Sequence, residues 1–270
     1  MEKLQAALEK ARHSRGGNAA SLDVRSASSA RPDSAKYDAL WNGLPSIPLS
    51  DPALIDNRVV TREANKNATP FDVMRTKILL QMRQNGWKRL AITSPMPNCG
   101  KTTMACNLAL GLGRQNGLRA MLFDLDLKNP SLSTVLDYTP THSISDVLTG
   151  DVPFADQAVR IGGNVAVSMA NKEENDPTRI LLSPHTEETL DRIQATYAPD
   201  IVIFDLPSVL VGDDTRAFLK NVDCALIIAR ANVTRYGHFD ACEREIAEHT
   251  NVLGVVLNAF RQKDMQSHLE

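Results

Sequence analysis

The chain has 270 residues, 43% hydrophobic and 23% charged, a composition that excludes wholesale disorder and suits one large domain or a domain with a tail. With 30 Lys and Arg against 32 Asp and Glu the formal net charge is −2, so no basic excess argues for a nucleic acid partner. Aromatic residues make up only 5%, which disfavours an antiparallel sandwich and suits a core of Ala, Leu, Val and Ile.

Residues 1–12 predict a short amphipathic helix with Leu4, Leu8 and Ala11 on one face. Its charged start is not that of a secretory leader. Residues 12–36, rich in Ser, Ala, Gly and Arg, predict a flexible linker. Residues 37–69 carry scattered anchors (Trp41, Leu44, Ile47, Leu54, Val59, Val60) among three prolines, with no period. Composition leaves two readings open there: the piece drapes over a domain, or it stays disordered. Residues 1–69 are therefore expected to be a helix plus a partly disordered segment, 70–262 a folded domain, and 263–270 a short polar tail.

From Pro70 the pattern is regular. A helix is expected over residues 71–85, with Met74, Ile78 and Leu79 on one face and Gly86 as its stop. Strands are expected at 89–93, 119–124, 201–205, 224–229 and 252–257, each followed by a loop and a helical stretch. These runs are continuously apolar, as strands buried on both faces of a parallel sheet are. Their alternation with helices implies an α/β fold: a doubly wound, mostly parallel sheet with helices on both faces. No apolar run approaches the ~20 residues that span a bilayer. The four cysteines (Cys99, Cys106, Cys224, Cys242) lack metal-like spacing, so a reduced, cytoplasmic chain is expected.

Residues 94–103 read SPMPNCGKTT, between the end of one strand and the start of an apolar helix. That context suits a phosphate-binding loop of the P-loop NTPase type: backbone N–H groups and a helix N-terminus face the anion, Lys101 reaches the β- and γ-phosphates, and the Thr102 hydroxyl ligates Mg²⁺. Gly100 permits close backbone approach. Pro97, Asn98, Cys99, Gly100, Lys101, Thr102 and Thr103 are the expected contacts, although Pro95 stands where the general pattern has its first glycine. Two further strands end in carboxylates, Asp124 with Asp126 after one and Asp205 after the other, on the sheet edge where open α/β sheets bind ligands. Mg²⁺ takes one or two carboxylates beside substrate phosphates. Mg²⁺ and ATP are therefore the expected cofactors.

On these motifs, the chain after residue 69 resembles the bacterial tyrosine kinases of polysaccharide export in their stand-alone form, relatives of the partitioning and division-site ATPases. The similarity continues through residues 143–150, 176–183, 222–230 and 252–258. It implies a Mg·ATP-dependent protein-tyrosine autokinase that regulates exopolysaccharide polymerisation and export. Lys101 would clamp the phosphates, Thr102 would hold the metal, and Asp205 would support it through water. Asp124 and Asp126 would share metal positioning and activation of the tyrosine hydroxyl. Asn258 matches a position that contacts adenine in relatives, or else caps a strand end; Arg230 lies near the nucleotide or on a solvated loop. The implied partners are a membrane-spanning polysaccharide co-polymerase or adaptor, which recruits the chain to the inner face of the membrane, a protein tyrosine substrate, and further copies in a homo-oligomer.

Three departures stand out. Lys128 replaces the family's arginine, keeping charge but losing the bidentate fork. Asp72, Arg75 and Ile78 stand where a Glu-x-x-Arg-x-x-Arg subunit-contact pattern is common. No tyrosine follows Tyr236, so the family's C-terminal tyrosine cluster is missing. That last point raises an alternative, a nucleotide-gated regulator of export without kinase activity. A partitioning ATPase ranks third, because residues 94–99 lack its extra lysine. Among the four tyrosines, Tyr37 on the flexible segment is the expected acceptor of any sparse self-phosphorylation. Cys99 has two readings: a small loop residue with no redox role, which is the preferred one, or, beside a lysine and a helix N-terminus, a reactive thiol that bound ATP protects.

Overall fold

The computed structural model describes residues 34–260. Within them the apolar runs alternate strictly between two sheet faces. In β1 (Arg89–Thr93), Leu90 and Ile92 face one core layer and Ala91 the other; in β5 (Ile201–Asp205), Ile203 faces the first and Val202 with Phe204 the second. The same holds for β2 (Ala120–Asp124) and β6 (Cys224–Arg230). Burial on both faces explains why these strands read as unbroken hydrophobic runs.

With β3 (Val159–Ile161), β4 (Val165–Ser168) and β7 (Asn251–Asn258) these strands form a seven-stranded sheet in the order β3-β4-β2-β5-β1-β6-β7. Every neighbouring pair is parallel except β3 with β4. The expected doubly wound α/β fold is therefore present. The hairpin of β3 and β4 is absent from the sequence-based expectation: three and four residues are too few to show a period.

One face is covered by α3 (Thr69–Asn85) and α4 (Lys101–Gly113), the other by α9 (Pro184–Tyr197), α10 (Asp214–Leu219) and α11 (Tyr236–Ala247). Helix α3 buries Ile78, Leu79 and Met82 and ends at Gly86, whose left-handed φ of 71° lets its N–H close on the Arg83 carbonyl. Between β2 and β5 lie the short helices α5 (Leu132–Leu136), α6 (Ile144–Leu148), α7 (Phe154–Gln157) and α8 (Pro177–Leu181). No helix among the described residues is long and apolar enough to cross a membrane.

Residues 37–69 drape over the sheet. Helix α1 (Ser34–Gly43) buries Trp41 at 1% exposure, and its indole N–H donates to the Tyr197 carbonyl at 2.8 Å. Leu44 shares that layer. Residues 45–47 then run along the free edge of β3, exchanging backbone hydrogen bonds of 2.7 and 3.0 Å with Arg160, which protects an otherwise open edge. Beyond it Ile47, Leu54 of α2 (Asp51–Asp56) and Val59 enter the opposite core layer. The linker expected over residues 12–36 and the helix over 1–12 lie outside the described residues, except that α1 takes up the linker's last three positions. The tail over 263–270 also lies outside them.

The departures on α3 turn inward. Asp72 pairs with Arg75 at 3.0 Å and with Arg114, and Arg75 donates to the Gly111 carbonyl at 2.6 Å. These charges tie α3 to α4 rather than face a neighbour.

Candidate functional site

The carboxyl ends of β1, β2 and β5 surround a cavity of about 530 Å³. The loop after β1 bends through Asn98 (φ 60°) and Gly100 (φ 91°) into α4. No side chain caps α4, so the N–H groups of its first turn remain available to an anion. A Cβ on Gly100 would overlap the Asn258 amide nitrogen where it now lies, and a φ of 91° is a conformation that residues with a side chain rarely adopt.

Two side chains fasten the loop from outside. Asn258, at the end of β7, donates to the Cys99 carbonyl at 2.8 Å, and Arg230, at the end of β6, donates to the Asn98 carbonyl at 2.9 Å. Holding these carbonyls outward leaves the inner face of the loop to its N–H groups. Neither residue lines the cavity; in this structure both act on the loop.

Lys101 is buried at 9% exposure. Its ammonium lies 3.4 Å from Ser208 Oγ and 3.9 Å from Asp126 Oδ2. Pro97, Asn98, Gly100, Thr102, Thr103 and Asp126 also line the cavity, and the Thr102 hydroxyl meets Ser131 Oγ at 2.9 Å. Asp124 and Asp205 are fully buried, directly opposite each other at the ends of β2 and β5. Asp124 accepts the Leu132 N–H at 3.0 Å, positioning the start of α5.

At Cys99 the structure favours the preferred reading, a loop residue with no redox role, over the reactive thiol. Its sulfur packs at 1% exposure into the core layer under α4, so its contribution to the loop is its backbone. A buried thiol is a poor target for alkylation, which removes the basis for nucleotide-protected labelling there.

Four carboxylate oxygens in this cluster have no hydrogen-bond partner: Asp124 Oδ1, Asp126 Oδ1 and both oxygens of Asp205. Burial pushes the Asp205 carboxyl up to about 7 against the opposing pull of the Lys101 ammonium. Burial first, then the Asp205 charge, holds Asp124 well above the ordinary carboxylate range, and burial raises Asp126. Buried acceptors without donors beside a threonine hydroxyl fit a hard divalent cation. Among the described residues no group of three or more His, Cys, Asp or Glu forms a complete metal cage. Mg²⁺ ordinarily takes only one or two carboxylates, with water and phosphate oxygens as its other ligands.

The raised Asp205 carboxyl links the stability of the fold to pH. Its folded value of about 7 lies above the unfolded value of about 3.9. The stability it contributes is present in acid and lost as pH rises through about 7. The melting temperature of the ligand-free protein is expected to fall by several degrees between about pH 6 and pH 8, and Asp205→Asn to flatten that fall. A wild-type profile as flat as that of the variant contradicts the shift.

Sequence singled out Lys128 only as a replacement for the family's arginine and pointed to neither Asp214 nor Ser208, which also line the cavity. Lys128 pairs at 2.8 Å with Asp214, which is 3% exposed and also accepts the Thr178 hydroxyl at 2.6 Å. This joins the loops after β2 and β5 to α8 across the lip facing the phosphate loop. Ser208, three residues after Asp205, bridges Lys101 and Ser94, the latter at 3.1 Å. Its place after the Asp-Leu-Pro run was the only local signal for it.

Residues 90–270 match the CbiA family, described as the CobQ/CobB/MinD/ParA nucleotide binding domain. The tyrosine-protein kinase CpsD of Streptococcus agalactiae is 24% identical over 212 residues, covering 77% of this chain and 88% of its own length. EpsB of Ralstonia nicotianae is 26% identical over 190 residues, which span 69% of this chain and only 25% of that longer protein. The kinase domain of the Escherichia coli tyrosine kinase ETK shares the fold with a TM-score of 0.68 at 20% identity, covering 81% of this chain and 90% of that domain.

Proposed function

We propose, for a chain that belongs to the CobQ/CobB/MinD/ParA nucleotide-binding domain family, that it is an ATP- and Mg²⁺-dependent protein-tyrosine kinase acting in polysaccharide export. The observation that carries this reading is the meeting of Lys101, Thr102 and partnerless carboxylates at one sheet edge beside an uncapped helix N-terminus. The likeness to CpsD supports tyrosine as the acceptor class.

Lys101 would lie against the β- and γ-phosphates, replacing its present neighbours Ser208 and Asp126. Thr102, Asp126 and Asp205 would hold Mg²⁺, whose bound charge neutralises phosphate oxygens during transfer. Asp126 lines the cavity while Asp124 is buried and occupied by the Leu132 N–H. That difference favours Asp126 as the group nearer the acceptor hydroxyl and Asp124 as its support. A membrane-spanning co-polymerase or adaptor is the partner this reading assigns, with recruitment to the inner face of the membrane through it.

Incubation with labelled ATP and Mg²⁺, with and without the cytoplasmic segment of a co-polymerase, tests the proposal. Label on tyrosine is the expected result. ATP turnover without phosphotyrosine on any protein identifies a nucleotide-gated regulator instead. The double change Asp124→Asn with Asp126→Asn is expected to spare most nucleotide affinity and remove Mg²⁺-dependent turnover, read by nucleotide titration beside phosphate release. Retained turnover excludes these carboxylates from the chemistry.

A further inference from the structure

The four tyrosines differ sharply in access. Tyr197 is 6% exposed in the core. Tyr138 is half-buried against the layer under α4. Tyr37, the acceptor expected from sequence, sits half-buried on α1 with the Arg119 guanidinium 5.7 Å from its ring centre. A rigid helix and a packed ring remove the flexible reach on which that expectation rested. Tyr236 alone stands out, 81% exposed at the first position of α11.

We propose that Tyr236 is the self-phosphorylation site, modified by a second copy of this chain. The inference rests on the kinase reading above. Tyr236 does not line the cavity of its own chain and is fixed on a helix of twelve residues, so the phosphoryl donor is held by another copy. In the step, the bond between the γ-phosphorus and the oxygen bridging to ADP breaks. A bond from that phosphorus to Tyr236 Oη forms, the phenolic proton passes to solvent, and ADP leaves. Exposed Val233, at 55% and three residues earlier in the chain, offers an apolar contact for the catalysing copy.

The surroundings favour the product. The first turn of α11 contains no acidic residue, and Arg235 precedes Tyr236 in the chain. Asp240, one turn along, is paired with Arg244. A phosphate of about −1.5 to −2 charge is stabilised at such a helix start. The modification also reaches the active site. Tyr236 follows by two residues Thr234, whose hydroxyl accepts the Arg230 N–H at 2.9 Å and lies 3.8 Å from Cys99 Sγ. The Arg230 guanidinium holds the Asn98 carbonyl of the phosphate loop. A phosphate on Tyr236 competes for that guanidinium, loosens the loop and raises the KM for ATP.

Wild-type chain is mixed with a Lys101→Met acceptor, Mg·ATP and a random Glu/Tyr copolymer, and the sites are mapped. Dominant label on Tyr236 of the acceptor is expected, with most of that label lost from a Lys101→Met, Tyr236→Phe acceptor. At saturating ATP, where a raised KM has no effect, copolymer labelling by Tyr236→Phe enzyme should match the wild type. A labelled copolymer with Tyr236 unmodified, or with undiminished label on the Tyr236→Phe acceptor, overturns this inference and leaves the kinase reading standing. Label on neither copolymer nor chain overturns both. An unchanged KM for ATP after stoichiometric phosphorylation of Tyr236 overturns the link to the loop.

Discussion

Lys101→Met is expected to reduce Mg·ATP turnover by on the order of 10²–10³-fold or more, the loss that follows removal of a preorganised donor to developing charge. The lysine is 9% exposed and its ammonium lies between Ser208 Oγ and Asp126 Oδ2. Methionine retains much of the length of the stem, so the packing around it survives. What is lost is the cation facing the phosphates and the partner that draws Asp126 and Asp205 toward ionisation. The variant should therefore stay folded, with a circular dichroism spectrum like that of the wild type. Nucleotide titration and phosphate release measure the rest. Turnover at the wild-type rate in a folded Lys101→Met chain shows that residues 94–103 are not the phosphate loop.

Trp41→Ala is expected to destabilise the fold by about 3–5 kcal/mol, the usual cost of deleting a large buried aromatic. That corresponds to roughly a 10 °C fall in melting temperature for a domain of this size. Trp41 is 1% exposed, meets the Tyr197 ring edge-on at 6.4 Å between centres, and donates its indole N–H to the Tyr197 carbonyl. Trp41→Phe keeps an aromatic ring there but loses the donor, and should cost less. Thermal melts of both variants decide the matter. A Trp41→Ala melt within about 2 °C of the wild type means that residues 34–44 do not stabilise the domain, since one kcal/mol moves such a melt by roughly 2–4 °C.

Much of the site was legible because its parts are contiguous. A strand, a loop and a helix lie within residues 89–113, and the Gly-Lys-Thr unit needs no distant partner to be recognised. Four of the long strands, β1, β2, β5 and β6, were legible for a related reason: burial on both faces leaves each an unbroken apolar run that no exposed helix would show; β7 carries such a run at the sheet edge with Val255 and Leu257 exposed. The carboxylates could be placed on one edge because parallel strands all end on the same side of the sheet.

What lay beyond sequence depends on contacts between distant segments. The direction of the Cys99 side chain is set by packing under α4, and nothing in its neighbours along the chain distinguishes inward from outward. Asp124 and Asp126 are two residues apart, yet one is buried behind the Leu132 N–H and the other opens to the cavity; that division appears only once α5 packs. Asn258 and Ser208 reach the phosphate loop from 159 and 107 residues away, and Lys128 finds Asp214 across 86. The residues before 70 lack a period because each anchor serves a different surface: Trp41 one core layer, residues 45–47 the edge of β3, and Leu54 the other layer. Sequence by itself determined the elements and the local phosphate loop, since backbone periodicity and a contiguous motif are properties of neighbouring residues. Only the tertiary structure decided strand order, the N-terminal wrap and which polar atoms are left without partners, because those follow from which distant surfaces exclude water together.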